Sequence, residues 1–437
     1  MAMIDRLPVF PMGAKVDRVG HLVIGGCDTT KLADKFGTPV YVYDESTMRG
    51  KINEFKRELG KRYDNLLVLY ASKAYVNGAI ATLVKEEGLG LDVVSEGELG
   101  IARSVKFPMK KVYFHGNNKS LRELELGLRW KVGRFVVDNF YELEMLDKLA
   151  RGKGVKQDIL LRMTPGVDPH THKYTSTGTI DSKFGIPLPL KEEAVKRAMS
   201  ARGLNLVGLH FHIGSLIHET EPYVESVRFI LGFAAEMKKK YGFELKELDT
   251  GGGFAIQYTV DRPAPPLSTF AEALIGAVKS ECEKLRLGLP RLVIEPGRAV
   301  VAQAGVALYS VGVVKEIPGI RTYVSVDGGM GDNIRPALYE ARLEAVVANR
   351  MRARMAGKVT VCGKFCESGD ILIRDVGLPS MKAGDILAVA GCGAYSIPES
   401  MNYNAFCRPP VVLVKDGKAR LIRRRETLAD ITACDII

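Results

Sequence analysis

LLVLYASKAYVNGAIATLVKEEGLGLDVV, residues 66–94, holds two short apolar runs separated by one amphipathic stretch. LLVLY at 66–70 and LDVV at 91–94 have the length and composition of strands buried on both faces. The segment between them reads as a helix, so the whole is a strand–helix–strand unit with parallel strands and a right-handed crossover. The theme repeats outward. VYVY at 40–43 precedes it, and VYFH at 112–115, FVVD at 135–138, ILLR at 159–162, LVGLHFH at 206–212, LKELD at 245–249 and LVIE at 292–295 follow. These are nine candidate strands, and about eight units over some 260 residues fit a (β/α)8 barrel better than an open sheet. VYVY is then a lead-in from another domain. An open doubly wound sheet calls for a glycine-rich turn after its first strand, which this sequence lacks.

After Arg298 the texture changes to β-rich runs such as GVALYSVGVVKEI, RTYVSVDGG and GDILAVAGCGAY, broken by Gly, Pro and Asp turns. The expected fold class is α/β: a TIM-type barrel over 38–300, plus a mainly antiparallel β domain built from 1–37 and 301–437. The N-terminal HLVIGG run is expected to join that second domain.

With 437 residues, 46% hydrophobic and 26% charged, the composition is that of an ordinary globular protein. MAMIDRLPVF has no signal-peptide pattern and no run is long enough to span a bilayer, so a cytoplasmic protein without membrane contact is expected. Seven scattered cysteines read as reduced thiols, and Cys362 with Cys366 lacks a second pair for metal, so none is expected. The charge of +11 is spread along the chain, with short clusters at Lys238–Lys240 and Arg423–Arg425, which reads as solvated surface rather than a nucleic-acid footprint.

Barrel chemistry sits at the C-terminal strand ends, where this sequence gathers Lys73, Asp92, His115, Asp138, Arg162, His210, His212, Asp249 and Glu295. By position alone Lys73 is a solvated loop lysine. A partly desolvated site would instead suit it to a Schiff base. His210 and His212 alternate on one strand and so share a side; His210 reads equally as a core histidine. His212, nearer the end, is placed to stack on a flat cofactor, and Gly214-Ser215 offers donors to an anion. Gly251-Gly252-Gly253 is either a tight turn or an anion-binding nest. Glu295-Pro296-Gly297-Arg298 is either a structural ion pair or a partner for a pyridine nitrogen with an arginine for phosphate or carboxylate.

Taken in order, YASKA at 70–74, DVVSEGEL at 92–99, FHGNNKS at 114–120, SKFGI at 182–186, HFHIGS at 210–215, GGG at 251–253 and EPGR at 295–298 form a specific series. DGGMGDNIRPALY at 327–339, CESGD at 366–370 and GAY at 393–395 extend it. The series resembles the fold-type III pyridoxal-phosphate enzymes with an alanine-racemase-like barrel, and among them the diaminopimelate decarboxylases. The resemblance implies pyridoxal 5′-phosphate carried on Lys73 and decarboxylation of meso-2,6-diaminopimelate to L-lysine and carbon dioxide, the last step of lysine biosynthesis. It implies His212 on the ring face and Glu295 at the pyridinium nitrogen. Ser215, Gly252, Gly253, Pro296, Gly297, Arg298 and Tyr395 would surround the cofactor, chiefly its phosphate. Arg298, Arg335, Tyr339 and Tyr395 would contact the substrate, the first three at its distal carboxylate. Cys366 and Glu367 would reach the neighbouring subunit's site in a homodimer, with Glu367 on the distal ammonium and Cys366, or a group it assists, returning a proton to Cα.

Ornithine, arginine and carboxynorspermidine decarboxylases and alanine-type racemases are the rivals within the fold. A diamine-producing decarboxylase tends to carry Asp where Glu367 stands and has no need of the Arg335–Tyr339 pair, and CESGD is not a racemase pattern. A barrel-only cofactor carrier would lack residues 300–437. Leu216, Gly331, Lys364 and Met163 depart from the family's usual residues and touch loop details.

Overall fold

The computed structural model describes residues 2–167 and 181–436. They fall into two compact units: Ile52–Ala255 with Pro265–Gly297, and Met1–Lys51 with Ile256–Ala264 and Arg298–Ile437.

The first unit is a closed barrel of eight parallel strands in chain order: Leu66–Ala71, Gly90–Val93, Val112–Phe114, Arg134–Val137, Gln157–Arg162, Leu204–His210, Glu247–Asp249 and Arg291–Ile294. The last pairs with the first, Leu292 opposite Leu66, which closes the ring. All eight runs expected from sequence are here. Its interior is plugged by Leu69, Tyr113, Val136, Leu160, Val207 and Val293, each at most 4% exposed. Several polar strand-end residues turn out to be helix caps. The side chains of Asn77, Ser95, Ser120 and Asn139 each accept a backbone N–H in the first turn of the following helix, satisfying a donor the helix cannot.

Polar groups also enter the barrel at the N-terminal strand ends. There the Glu247 carboxylate accepts from Tyr113 Oη at 2.8 Å, from Arg134 Nε at 3.0 Å and Nη2 at 2.5 Å, and from Arg291 at 3.4 Å. Beside a neighbouring strand the buried Lys119 ammonium finds three acceptors: Gly116 O and Val136 O at 2.9 Å and Glu142 at 2.7 Å.

The second unit carries a nine-stranded mixed sheet in which antiparallel pairs dominate. Val40–Asp44, the VYVY run, lies at its centre, antiparallel to Gly305–Ile317 and parallel to Val411–Lys415. The unit takes in the chain up to Lys51, together with Ile256–Ala264 and the residues from Arg298 onward. The HLVIGG run belongs to this unit but not to its large sheet. Leu22–Ile24 pairs with Lys15–Val16 and Cys27–Asp28 in a separate three-stranded sheet, since the turn at Gly25-Gly26 folds the chain straight back on itself. Among the described residues no helix is long and apolar enough to cross a membrane.

Candidate active site

Lys73 sits in a single helical turn, Ser72–Ala74, just past the first barrel strand, and its side chain is 41% exposed. Its Nζ lies 3.7 Å from the buried Asp92, whose other oxygen is 3.7 Å from His115 Nε2. His115 in turn meets Glu295 at 2.6 Å, and His210 approaches the second Glu295 oxygen at 3.5 Å. The two histidine rings pack edge to face at 4.9 Å. Lys73, Asp92, His115, Glu295 and His210 thus form one chain of charged and polar groups around the C-terminal mouth.

The electrostatics of this chain split by position. Burial would raise Glu295, but His115 and His210 outweigh it and hold the carboxyl well below its ordinary range. Asp249 goes the other way, pushed well above its usual value by burial and then by Glu295. The two carboxyls of this pair are thus pushed in opposite directions. Burial drops His210 to about 3 against the pull of Glu295. His212 also lies well below its usual range, through burial and then the charge of Lys73, so it presents an uncharged ring.

Backbone from two strand ends meets at the glycine loop. Gly252 N–H donates to His212 Nδ1 at 3.2 Å, and Glu295 N–H donates to Gly251 O at 2.8 Å. A Cβ on Gly252 would stand 2.2 Å from Glu295 O, and one on Gly253, at φ +103°, would stand 2.5 Å from Gly214 O. Only glycine permits this approach. Ser215 follows Gly214 in the loop beside it, and Pro296 O accepts from Ala71 N–H at 3.2 Å, which brings Pro296 and Gly297 back against the Lys73 strand. Ser72 Oγ, both Asp92 oxygens, His210 Nδ1 and Asp249 Oδ2 are buried without a hydrogen bond among the described residues. Folded proteins seldom leave so many buried polar atoms together, and a polar ligand accounts for them.

In the second unit the structure brings together Arg298, Arg335, Tyr339 and Tyr395. Arg298 donates to Tyr258 Oη at 2.7 Å and lies 4.5 Å from the Tyr395 ring centre. Arg335, 4% exposed, stands 5.6 to 5.8 Å from the ring centres of Tyr258, Tyr339 and Tyr395. Its Nε is buried and has no hydrogen bond among the described residues. Tyr395 adopts φ +65°, a left-handed conformation unusual outside glycine that sets its ring among the arginines. Cys366 and Glu367 occupy an exposed turn instead. Cys366 N–H donates to Asn404 at 2.8 Å, and Glu367 accepts from Gly369 N–H at 3.3 Å.

Two members of these clusters escaped the sequence reading. Tyr258 belongs to the irregular excursion Ile256–Ala264, which has no periodicity to flag it. Glu399, whose carboxyl burial pushes up and Arg335 and Arg298 pull down, follows Pro398 in a loop and looks like any surface carboxylate.

The family model for the pyridoxal-dependent decarboxylases, pyridoxal binding domain, matches residues 46–302. The diaminopimelate decarboxylase of Bacillus subtilis strain 168 is 46% identical over 419 residues, covering 95% of each chain. The solved diaminopimelate decarboxylase of M. jannaschii in co-complex with L-lysine is 36% identical, with a TM-score of 0.91 over 100% of this chain and 99% of that one. A lysine/ornithine decarboxylase of Vibrio vulnificus complexed with cadaverine, at 21% identity and a TM-score of 0.76 over 88% of this chain and 97% of that one, shares the fold. By its sequence relatives, its fold and its matched domain, the chain belongs to the diaminopimelate decarboxylase family of pyridoxal-dependent decarboxylases.

Proposed function

We propose that this chain, working in the cytoplasm, decarboxylates meso-2,6-diaminopimelate to L-lysine, the last step of lysine biosynthesis, with pyridoxal 5′-phosphate as cofactor. The substrate reading rests on Arg335. A guanidinium buried among three phenol rings and short of an acceptor calls for a carboxylate. Diaminopimelate has a second carboxylate to give it, whereas ornithine does not. A site built to bind a charged group strongly rejects analogues without it. The names of the relatives and the L-lysine in the M. jannaschii complex support the same substrate and product.

The barrel residues fit the cofactor, because orphaned polar atoms and a glycine loop closed to any Cβ lie beside an exposed lysine. When bound, pyridoxal 5′-phosphate supplies an electron sink for the pair left at Cα as carbon dioxide departs. Lys73 would hold the cofactor covalently, and the uncharged His212 ring would pack against it. Ser215, Gly252, Gly253, Gly297 and Arg298 bind phosphate, with Pro296 shaping the turn and Tyr395 beside it. Glu295, kept ionised by its histidines, holds a proton on the ring nitrogen. Arg298, Arg335 and Tyr339 take the distal carboxylate of the substrate, with Tyr395 packed against the arginine pair. Cys366 and Glu367, exposed in this chain, serve the neighbouring subunit of a homodimer: Glu367 on the distal ammonium, and Cys366, or a group it assists, as the proton donor to Cα.

Carbon dioxide release from meso-diaminopimelate, ornithine and arginine tests the substrate. Release from diaminopimelate alone is expected. Release from ornithine or arginine and not from diaminopimelate would overturn the reading.

A further inference from the structure

Glu399 and Arg335 present a pair of opposite charges in the second unit that the protein leaves open. Glu399 ends the turn that begins at Tyr395, its N–H donating to Tyr395 O at 3.3 Å. The Tyr395 ring lies against both guanidinium groups, 4.5 Å from Arg298 and 5.8 Å from Arg335. Glu399 Oε2 and Arg335 Nε are each buried, and neither has a hydrogen-bond partner among the described residues. Burial pushes the Glu399 carboxyl up while Arg335 and Arg298 pull it down, so the charges feel one another without closing into a hydrogen-bonded pair. A buried carboxylate and a buried guanidinium held this way each keep a polar atom for something else. A ligand group with both signs on adjacent atoms, the α-ammonium and carboxylate of an amino-acid centre, matches both at once.

We propose that Glu399 is a specificity-determining residue whose carboxylate reads the ammonium of the substrate's distal amino-acid centre, beside the Arg335 guanidinium that reads its carboxylate. This rests on the diaminopimelate reading. It adds a contact from the same chain as Arg335 to the one expected of Glu367. That distal centre survives in the product as the α-centre of L-lysine, so product binding reports on it without catalysis.

The test uses holoenzyme and two ligand pairs, each differing by one amine: meso-diaminopimelate against 2-aminopimelate, and L-lysine against 6-aminohexanoate. Glu399→Gln is expected to raise KM for meso-diaminopimelate roughly tenfold or more with little change in kcat. It should leave 2-aminopimelate nearly unaffected and erase the calorimetric preference for L-lysine over 6-aminohexanoate. Glu399→Asp, which keeps the charge, should retain part of that preference and serves if the glutamine variant folds poorly. Equal weakening of both members of each pair, no weakening of either, or loss of the preference in Glu367→Gln alone would overturn the proposal. Absence of carbon dioxide from wild-type enzyme and diaminopimelate would count against the substrate reading alone, and the lysine comparison would still decide Glu399.

Discussion

Glu247 and Asp249 stand two residues apart on one barrel strand, point to the same side, and are both buried. At the N-terminal end the Glu247 carboxylate accepts from a tyrosine and two arginines. At the C-terminal end Asp249 keeps one oxygen that has no hydrogen bond among the described residues, as do atoms of Ser72, Asp92 and His210. Burial and residue type are alike, so neither distinguishes structure from function here. Satisfaction does. The floor of the barrel completes its own polar network and holds the strands together, while the mouth leaves its network for a ligand to complete.

That contrast can be broken from either end. The largest expected effect is at the mouth: Glu295→Gln should cut kcat by roughly 10²–10⁴-fold, the range for a positioned acid or base, with little change in unfolding midpoint. Steady-state kinetics beside thermal melts decide it, and a variant that unfolds while its folded fraction turns over normally would put Glu295 with the floor. Next comes Glu247→Ala, which removes the acceptor shared by Tyr113, Arg134 and Arg291 and leaves Arg134 with Asp158, and should cost about 3 kcal/mol in urea unfolding. Its folded fraction should keep wild-type kcat. The smallest effect concerns Glu98, whose carboxyl burial pushes up to about 7 and which accepts from Val94 N–H at 2.7 Å. A carboxyl raised on folding costs stability as pH climbs from the unfolded value, 4.5, through the folded one. Glu98→Gln should therefore stabilise the protein above pH 7 by a margin that vanishes toward pH 4.5, read from melts across that range.

How much of this was legible depended on the distance over which each feature is decided. The eight barrel strands show in the sequence because each is a short apolar run followed by its own helix, and neighbours in sequence are neighbours in the ring. Lys73, His212, the triple glycine and Glu295 show because strand ends are local landmarks. The place of Val40–Asp44 was harder, since its partners begin at Gly305 and Val411. HLVIGG lies in the second unit, and its tight glycine turn pairs it with its own neighbours rather than with the large sheet. Tyr258 and Glu399 gain their meaning from Arg298 and Arg335, residues their own segments do not announce.

The central claim is that Lys73, at the unsatisfied end of the barrel, carries the cofactor. Borohydride reduction of the holoenzyme followed by peptide mapping tests it most directly. The cofactor mass should appear on the peptide containing Lys73, and Lys73→Ala should remove it. Cofactor fixed to any other lysine of the wild-type protein would contradict the account.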